Sequence, residues 1–401
     1  MKILQINCHY NYGSTGKIMY DIDRYLENHH IESFQCYARG KKVKRERVLK
    51  IAYEPICKLG KAFNLFYGRP LLWGTYSLKK VVRIIEKARP DVVHVHCINA
   101  YTVNVYGLLN YLKKKGIGTV ITLHAEFMYT GGCSYAYNCD KWKEKEGCRS
   151  CKVKNANKNW NSMKEAFSGF NREKLALVSV SPWLRDRALN STILENYHHK
   201  IVMNGIDTYT FRKRTRDEIE KVKKKYGICS DRILLHVTSD FDAPVKGGGY
   251  VRQIAHMMEE DNLTDIEIIV VGPVKKRENT KNIKFVGVVT NQADLAALYS
   301  MSSVTLLTSK RETFSMICAE SLCCGTPVIG FKAGAPETIS IPEYSSFFKF
   351  GDINSMYKAV KKTLYSSQSD RAVIIEKAHK TYSAETMAQN YISIYRNVAY
   401  V

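Results

Sequence analysis

The sequence predicts an α/β protein built as two successive doubly wound units. Three observations carry that prediction. The chain has 401 residues, more than one hydrophobic core ordinarily supports, and its 45% hydrophobic and 25% charged content is that of a soluble globular protein rather than a disordered one. Short apolar segments alternate with longer amphipathic ones, the rhythm of parallel strands joined by crossover helices. After about residue 205 the rhythm starts again, which reads as a second unit.

Residues 2–7 (KILQIN) read as the first strand, followed by a glycine-containing loop and a helix over about 17–27. Segments 92–96, 119–123 and 175–180 are further strands, each a short run rich in valine, isoleucine or leucine. In the second half the strands fall at 232–237, 266–271, 283–286, 304–307 and 327–330, with helices near 248–259, 292–299 and 315–323. The join lies in "IVMNGIDTYTFRKRTRDE" (201–218), where a strand ends in Asn-Gly and a charged segment follows. The units are therefore expected at 1–204 and 205–383. A last helix, about 384–401, carries Tyr391, Ile394 and Tyr395 on one face and is expected to pack back on the first unit. No short-period repeat, low-complexity tract or heptad array is present.

Lys and Arg total 61 against 38 Asp and Glu, a formal charge of +23 that implies an anionic partner. The basic clusters at 41–47, 113–115 and 221–225 are scattered and accompany no nucleic-acid-binding module, so nucleic acid is not expected. An anionic membrane surface is the functional reading that remains beside plain solvation. No run of about 20 apolar residues occurs and the chain opens on a strand-like segment, so the expectation is a cytoplasmic protein, peripheral on the inner face of the membrane.

Of twelve cysteines, Cys133, Cys139, Cys148 and Cys151 bunch in "GGCSYAYNCDKWKEKEGCRSCK", an insert near 131–152. Four thiols ending in a Cys-x-x-Cys pair fit a tetrahedral structural zinc; two disulfides or four free thiols are the alternatives.

"NYGSTGKIM" (11–19) has the look of a P-loop but lacks its first glycine and its final Ser or Thr, since Asn11 and Ile18 stand there. What survives is a loop where Gly13 and Gly16 let backbone approach a ligand, ahead of a helix whose N-terminus favours an anion. His94 and His96 alternate on one side of a strand, and His124 ends another, at the exit where ligands gather. Lys246 precedes three glycines at the exit of the second unit's first strand, a cation and backbone donors suited to phosphate.

The strongest stretch is "RETFSMICAESLCCGTPVIG" (311–330). Its helix is read from Phe314 onward, with Glu312 on the loop before it and Glu320 about two turns inside. That layout suits an extended ligand: Glu312 at one end, backbone N–H groups of Thr313, Phe314, Ser315 and Met316 on a diphosphate, and Glu320 accepting from paired hydroxyls at the other. A sugar nucleotide has these parts in this order.

The same stretch resembles the donor-site signature of glycosyltransferase family 4, and "NGID", "KGG", "VVG", "FVGVV" and "AGAPETI" occur around it in that family's order. The first half is similar more loosely, through "GSTGK", "DVVHVH" and "TLH", and its cysteine insert resembles that of a subgroup assembling bacterial capsule or lipid-linked polysaccharide. The resemblance implies a GT-B fold, two Rossmann-like domains facing across a cleft, with the donor on the second and a glycan or lipid-linked glycan acceptor on the first. It further implies hexose transfer with retention of configuration, no metal or other cofactor in catalysis, Glu312 on the hexose, Glu320 on the ribose, Lys246 on the diphosphate and His124 lining the donor sugar. Three departures stand out: no Arg precedes Lys246 in "TSDFDAPVK", Ala125 follows His124 where an Asp is usual, and Ser315 follows Phe314 where a Gly is usual. A nucleotide-sugar hydrolase or epimerase of the same fold, and a non-catalytic polyanion-binding module, are the rival readings.

Overall fold

A computed structural model describes residues 1–99, 101–149, 151, 153–275, 281–365 and 370–400; Ser150 and Lys152 of the cysteine insert and Val401 lie outside them. The chain forms two compact units, Met1–Gly205 with Ala384–Val401, and Ile206–Ser383.

The first unit holds a seven-stranded sheet in the order β3-β2-β1-β4-β5-β6-β7. Its strands are β1 (Lys2–Asn7), β2 (Glu32–Tyr37), β3 (Val48–Lys50), β4 (Val92–Val95), β5 (Gly118–Leu123), β6 (Leu175–Ser179) and β7 (His198–Ile201). All neighbours run parallel, so crossovers are needed and both faces of the sheet are covered. The helix Gly13–Asn28 and the last helix, Ala384–Ala399, cover one face, where Ile18, Ile22 and Leu26 pack with Met387, Tyr391 and Tyr395 around Ile3, Val92 and Val120.

The second unit holds a six-stranded parallel sheet in the order β10-β9-β8-β11-β12-β13. Here the strands are β8 (Arg232–Val237), β9 (Ile266–Val271), β10 (Ile283–Gly287), β11 (Val304–Leu307), β12 (Val328–Phe331) and β13 (Ser345–Phe348). Leu234, Ile268, Val304 and Ile329 meet the helices Gly248–Glu260 and Ile353–Tyr365 in its core.

In each sheet the winding reverses between the first and fourth strands, β1 and β4 or β8 and β11. Such switch points open a crevice at the carboxyl ends of the strands, where loops rather than sheet decide the chemistry. The sequence reading finds nine of these strands to within a residue or so at each end, places a tenth ending at Asn204-Gly205 where β7 ends at Ile201, and misses β2, β3 and β13.

Two corrections concern helices. The first begins at Gly13, so Gly13 and Gly16 belong to its first turn rather than to the loop before it. The helix read from Phe314 begins at Met316, because Ser315 caps it from the left-handed region (φ 85°, ψ 87°) with its Oγ accepting from Cys318 N at 3.3 Å.

Candidate functional site

At the second switch point, Lys246 comes from the loop after β8 and Glu312 from the loop after β11. Their side chains meet, Lys246 Nζ donating to Glu312 Oε1 at 2.9 Å. Both are only partly exposed. Each loop is fixed by its backbone. Glu312 N donates to Ala333 O at 3.0 Å and Glu312 O accepts from Ala335 N at 3.2 Å, a bridge that ties it to the loop after β12. Lys246 O accepts from Thr308 Oγ1 at 2.9 Å, and Gly247 closes the turn at φ +72°. A Cβ at Gly247 would lie 2.2 Å from Thr308 O, so only glycine permits this approach. Glu337 holds the neighbouring loop, accepting from Ala333 N and Gly334 N at 3.0 Å each.

Glu320 sits about one turn inside the short helix Met316–Cys323, rather than the two turns expected from a start at Phe314, with Tyr299 Oη donating to it at 3.1 Å. Burial among apolar neighbours pushes its carboxyl up to about 7, against the smaller opposing effect of the Tyr299 hydrogen bond. Thr313 and Phe314 are buried, and the Phe314 ring packs edge-on against Tyr382 at 6.4 Å. Phe314 is thus a wedge holding the turn. Ser315 occupies a conformation in which glycine is at ease, which gives a physical reason for the glycine usual in the resembling pattern. With Cys318 N taken by the cap and Ala319 N bonded to Ser315 O, the N–H groups left at this helix start are those of Met316 and Ile317.

Gly13, Gly16 and His124 belong to the first unit. Gly13 takes φ +66° in open space, and Gly16 lies where a Cβ would come within 3.1 Å of His9 Cβ. His124 stands at the exit of β5, its Nε2 at 3.3 Å from His96 Nδ1, while His96 Nε2 meets Gln5 Oε1 at 2.9 Å. His94 lies between Tyr395 Oη and Thr122 Oγ1, both at 2.7 Å. Burial holds all three imidazoles neutral, His124 down to about 3 and the other two well below the usual value. His94 is a core residue that docks the last helix; His124 is the one at the loop end.

Sequence reasoning missed Glu126, which is fully buried two residues past His124. Its carboxylate accepts from Arg187 Nε at 2.6 Å, Ala136 N at 2.7 Å and Tyr129 Oη at 3.2 Å, tying the cysteine insert to the β5 exit. An acid in an otherwise apolar "HAEFMY" was the available signal. In the insert itself, the four cysteines are unbridged. Cys148 Sγ accepts from Gly131 N at 3.2 Å and Cys151 Sγ from Val153 N at 3.4 Å. Burial pushes the thiols of Cys133 and Cys148 up to about 11, with the neighbouring cysteines adding to it. Among the described residues no group of three or more His, Cys, Asp or Glu is arranged to hold a metal ion.

Comparison with known proteins agrees with this architecture. Residues 17–209 match the family model "Glycosyltransferase Family 4" and residues 219–381 match "Glycosyl transferases group 1". The chain is 24% identical over 340 residues to N-acetyl-alpha-D-glucosaminyl L-malate synthase of Bacillus anthracis, covering 80% of this chain and 78% of that one. It is 21% identical to the putative colanic acid biosynthesis glycosyl transferase WcaC of Escherichia coli K12, over 99% of this chain and all of the other. Sucrose-phosphate synthase of Thermosynechococcus elongatus superposes with a TM-score of 0.70 at 15% identity, covering 99% and 98% of the two chains. Anabaena HepE, solved with UDP-glucose, superposes at 0.62 and 14% identity, covering 98% of each. The fold is GT-B, and the chain belongs to glycosyltransferase family 4.

Proposed function

We propose that this glycosyltransferase moves a hexose from a nucleoside-diphosphate sugar to a glycan acceptor carried on lipid, with retention of anomeric configuration and without a catalytic metal, in the building of a surface polysaccharide. The observation that carries the reading is the Lys246–Glu312 pair at the second switch point, 2.9 Å apart, with Glu320 about one turn inside the helix that follows. A diphosphate drawn to Lys246 competes with Glu312 for the ammonium, and each partner released can then hold one part of the donor: Lys246 the departing diphosphate, Glu312 the hexose hydroxyls. Met316 and Ile317 N–H groups supplement the cation, and Glu320, when ionised, accepts from the ribose. Stabilising charge on the departing diphosphate and holding the acceptor in place supply the rate, each worth several kcal/mol. The UDP-glucose in HepE and the colanic-acid assignment of WcaC support the donor and the product class. His124, neutral at the β5 exit, is assigned to the donor sugar near the reaction centre, and the loop at Gly13 and Gly16 to its phosphate side.

The test is a thermal-shift panel of UDP, GDP and ADP sugars on the purified chain, since a ligand that binds only the folded state raises its melting temperature. One base is expected to stabilise strongly and Lys246→Ala to abolish the shift; no shift with any of them sinks the reading. Transfer assays with EDTA are expected to keep their rate. For Cys133, Cys139, Cys148 and Cys151 the proposal is a structural zinc on which the four thiols close, supported by their gathering in one insert and by the N–H donors to two of the sulfurs. Elemental analysis is expected to find about one zinc per chain, lost in Cys148→Ser.

A further inference from the structure

The helix Glu54–Tyr67 is turned inside out. Its anchored side is narrow. Cys57 and Gly60 are buried, and a Cβ at Gly60 would lie 2.5 Å from the Trp73 ring. Trp73 Nε1 donates to Ile56 O at 3.0 Å, and Asn64 Nδ2 to the Tyr101 hydroxyl at 3.3 Å. The opposite side, which an ordinary surface helix would make polar, carries Leu59 at 61%, Leu65 at 73% and Phe66 at 72% exposure. With Tyr53, Tyr67 and Tyr76, this short stretch supplies six of the fifteen large apolar side chains exposed among the described residues. Such concentration marks a contact surface, because single exposed apolar groups are ordinary and patches are not.

Positive charge dominates the frame of the patch, because the one carboxylate of the helix, Glu54 in its first turn, is engaged by Arg39 Nη2 at 2.9 Å. Lys58 and Lys61 flank the apolar stripe, and residues 55–85 contain six Lys or Arg and no Asp or Glu. At the helix end the cysteine insert adds to both properties: Val153 is 47% exposed, and the Lys154 ammonium caps the Phe66 carbonyl. Asn155 Nδ2 donates to Tyr67 O at 2.6 Å, so insert and helix present one surface.

We infer that this helix face is where the protein lies on a membrane, with Leu59, Leu65 and Phe66 entering the headgroup boundary and Lys58, Lys61 and Lys154 meeting anionic headgroups. An amphipathic helix lying in the interface needs an apolar stripe, basic flanks and interfacial aromatics, and all three are present. A second copy of the chain is the weaker occupant. A two-fold contact here would set the same lysines against one another, with Glu54, the one carboxylate of the helix, already engaged by Arg39. The basic clusters at 41–47, 113–115 and 221–225 have no comparable apolar stripe. The inference rests on the lipid-carried acceptor of the proposed function and is independent of the donor site.

The experiment is sedimentation of the full chain with phosphatidylglycerol–phosphatidylcholine vesicles and with phosphatidylcholine vesicles, at low and high salt. Binding is expected to need the anionic lipid and to weaken with salt. Leu59→Ser with Phe66→Ser is expected to reduce it at least about tenfold, the scale of losing two buried apolar side chains, and Lys58→Gln with Lys61→Gln about 25-fold, at about fivefold per lysine near an anionic surface. Leu189→Ser, an exposed apolar site elsewhere, is expected to leave binding unchanged. Donor thermal shifts are expected to persist in every variant, so failure of the donor reading and failure of this one are told apart. Wild-type binding in both double variants, no binding by the wild type, or a dimer in sedimentation velocity that Phe66→Ser dissolves would each overturn the assignment.

Discussion

The two switch points share a topology and differ in chemistry. At the first, the strand exits carry His96 and His124, buried and neutral, with their nitrogens bonded to one another and to Gln5. At the second, they carry a cation and an anion, Lys246 and Glu312, partly open and bonded only at their tips. A neutral, desolvated lining suits a ligand that offers hydroxyls; an exposed pair of opposite charges suits one that brings charge and can exchange partners.

The sharpest way to break the comparison is to remove the charges. Lys246→Ala and Glu312→Ala are each expected to lower kcat/KM by about two orders of magnitude or more, the scale of losing one group that stabilises the transition state. Wild-type rates in both would mean that the second switch point carries no chemistry. The next effect is on architecture. Glu126→Ala is expected to cost about 3–5 kcal/mol in denaturant unfolding, because the largely desolvated Arg187 would lose its partner. Donor-induced stabilisation should survive that change in large part, since Lys246, Glu312 and Glu320 lie in the second unit. Gly247→Ala, forced against Thr308 O, is expected to cost about 1–3 kcal/mol and to weaken donor binding as well.

Acidification should separate the units further. His94, His96 and His124 are held below their unfolded value near 6.5, so folding of the first unit is strongest above that pH. It weakens by about 1.4 kcal/mol per histidine for each pH unit below it. Glu320 has the opposite sign: its folded value of about 7 exceeds the unfolded one, so its contribution is greatest below about 4.5 and fades as pH rises through 7. His236, lowered to about 4, opposes it within the second unit. Glu320→Gln is therefore expected to raise stability at pH 8 by about 1–3 kcal/mol while weakening donor binding, whereas the same change at pH 5 should be nearly silent. Calorimetry across pH 5–8 checks both. The smallest effect is Ser315→Gly, which relieves a left-handed residue but loses a cap, and should shift stability by less than about 1 kcal/mol.

How much of this was legible in the sequence follows the same physics. Strands buried on both faces, such as β4, β5 and β9, are dominated by Val, Ile and Leu and read plainly. β2 does not: "ESFQCY" buries Ser33 and Gln35, whose side chains bond Asp23 at 2.9 and 2.7 Å, so a polar network inside the core looked like surface. β3 has three residues and β13 ("SSFF") is a partly exposed edge strand, too short or too polar to announce themselves, and the polar edge strand β7 ("HHKI") showed only its end before Asn-Gly. At the site, Lys246, Glu312 and Glu320 could be named because each breaks an apolar or glycine-rich context. What could not be seen was which residues hold them: Tyr299, Glu337 and the Ala333–Ala335 backbone come from distant segments, and the turn at Ser315 depends on a dihedral that serine does not advertise.

The last helix has a bearing on how the molecule is made. Met387, Tyr391, Tyr395 and Val398 complete the core of the first unit, and Tyr395 satisfies His94. A ribosome delivers these side chains only after all of Ile206–Ser383 has emerged, so the second unit can mature while the first still shows an open apolar face. The amino-terminal half is synthesised early and finished late, and chaperone protection during translation would matter most for that half.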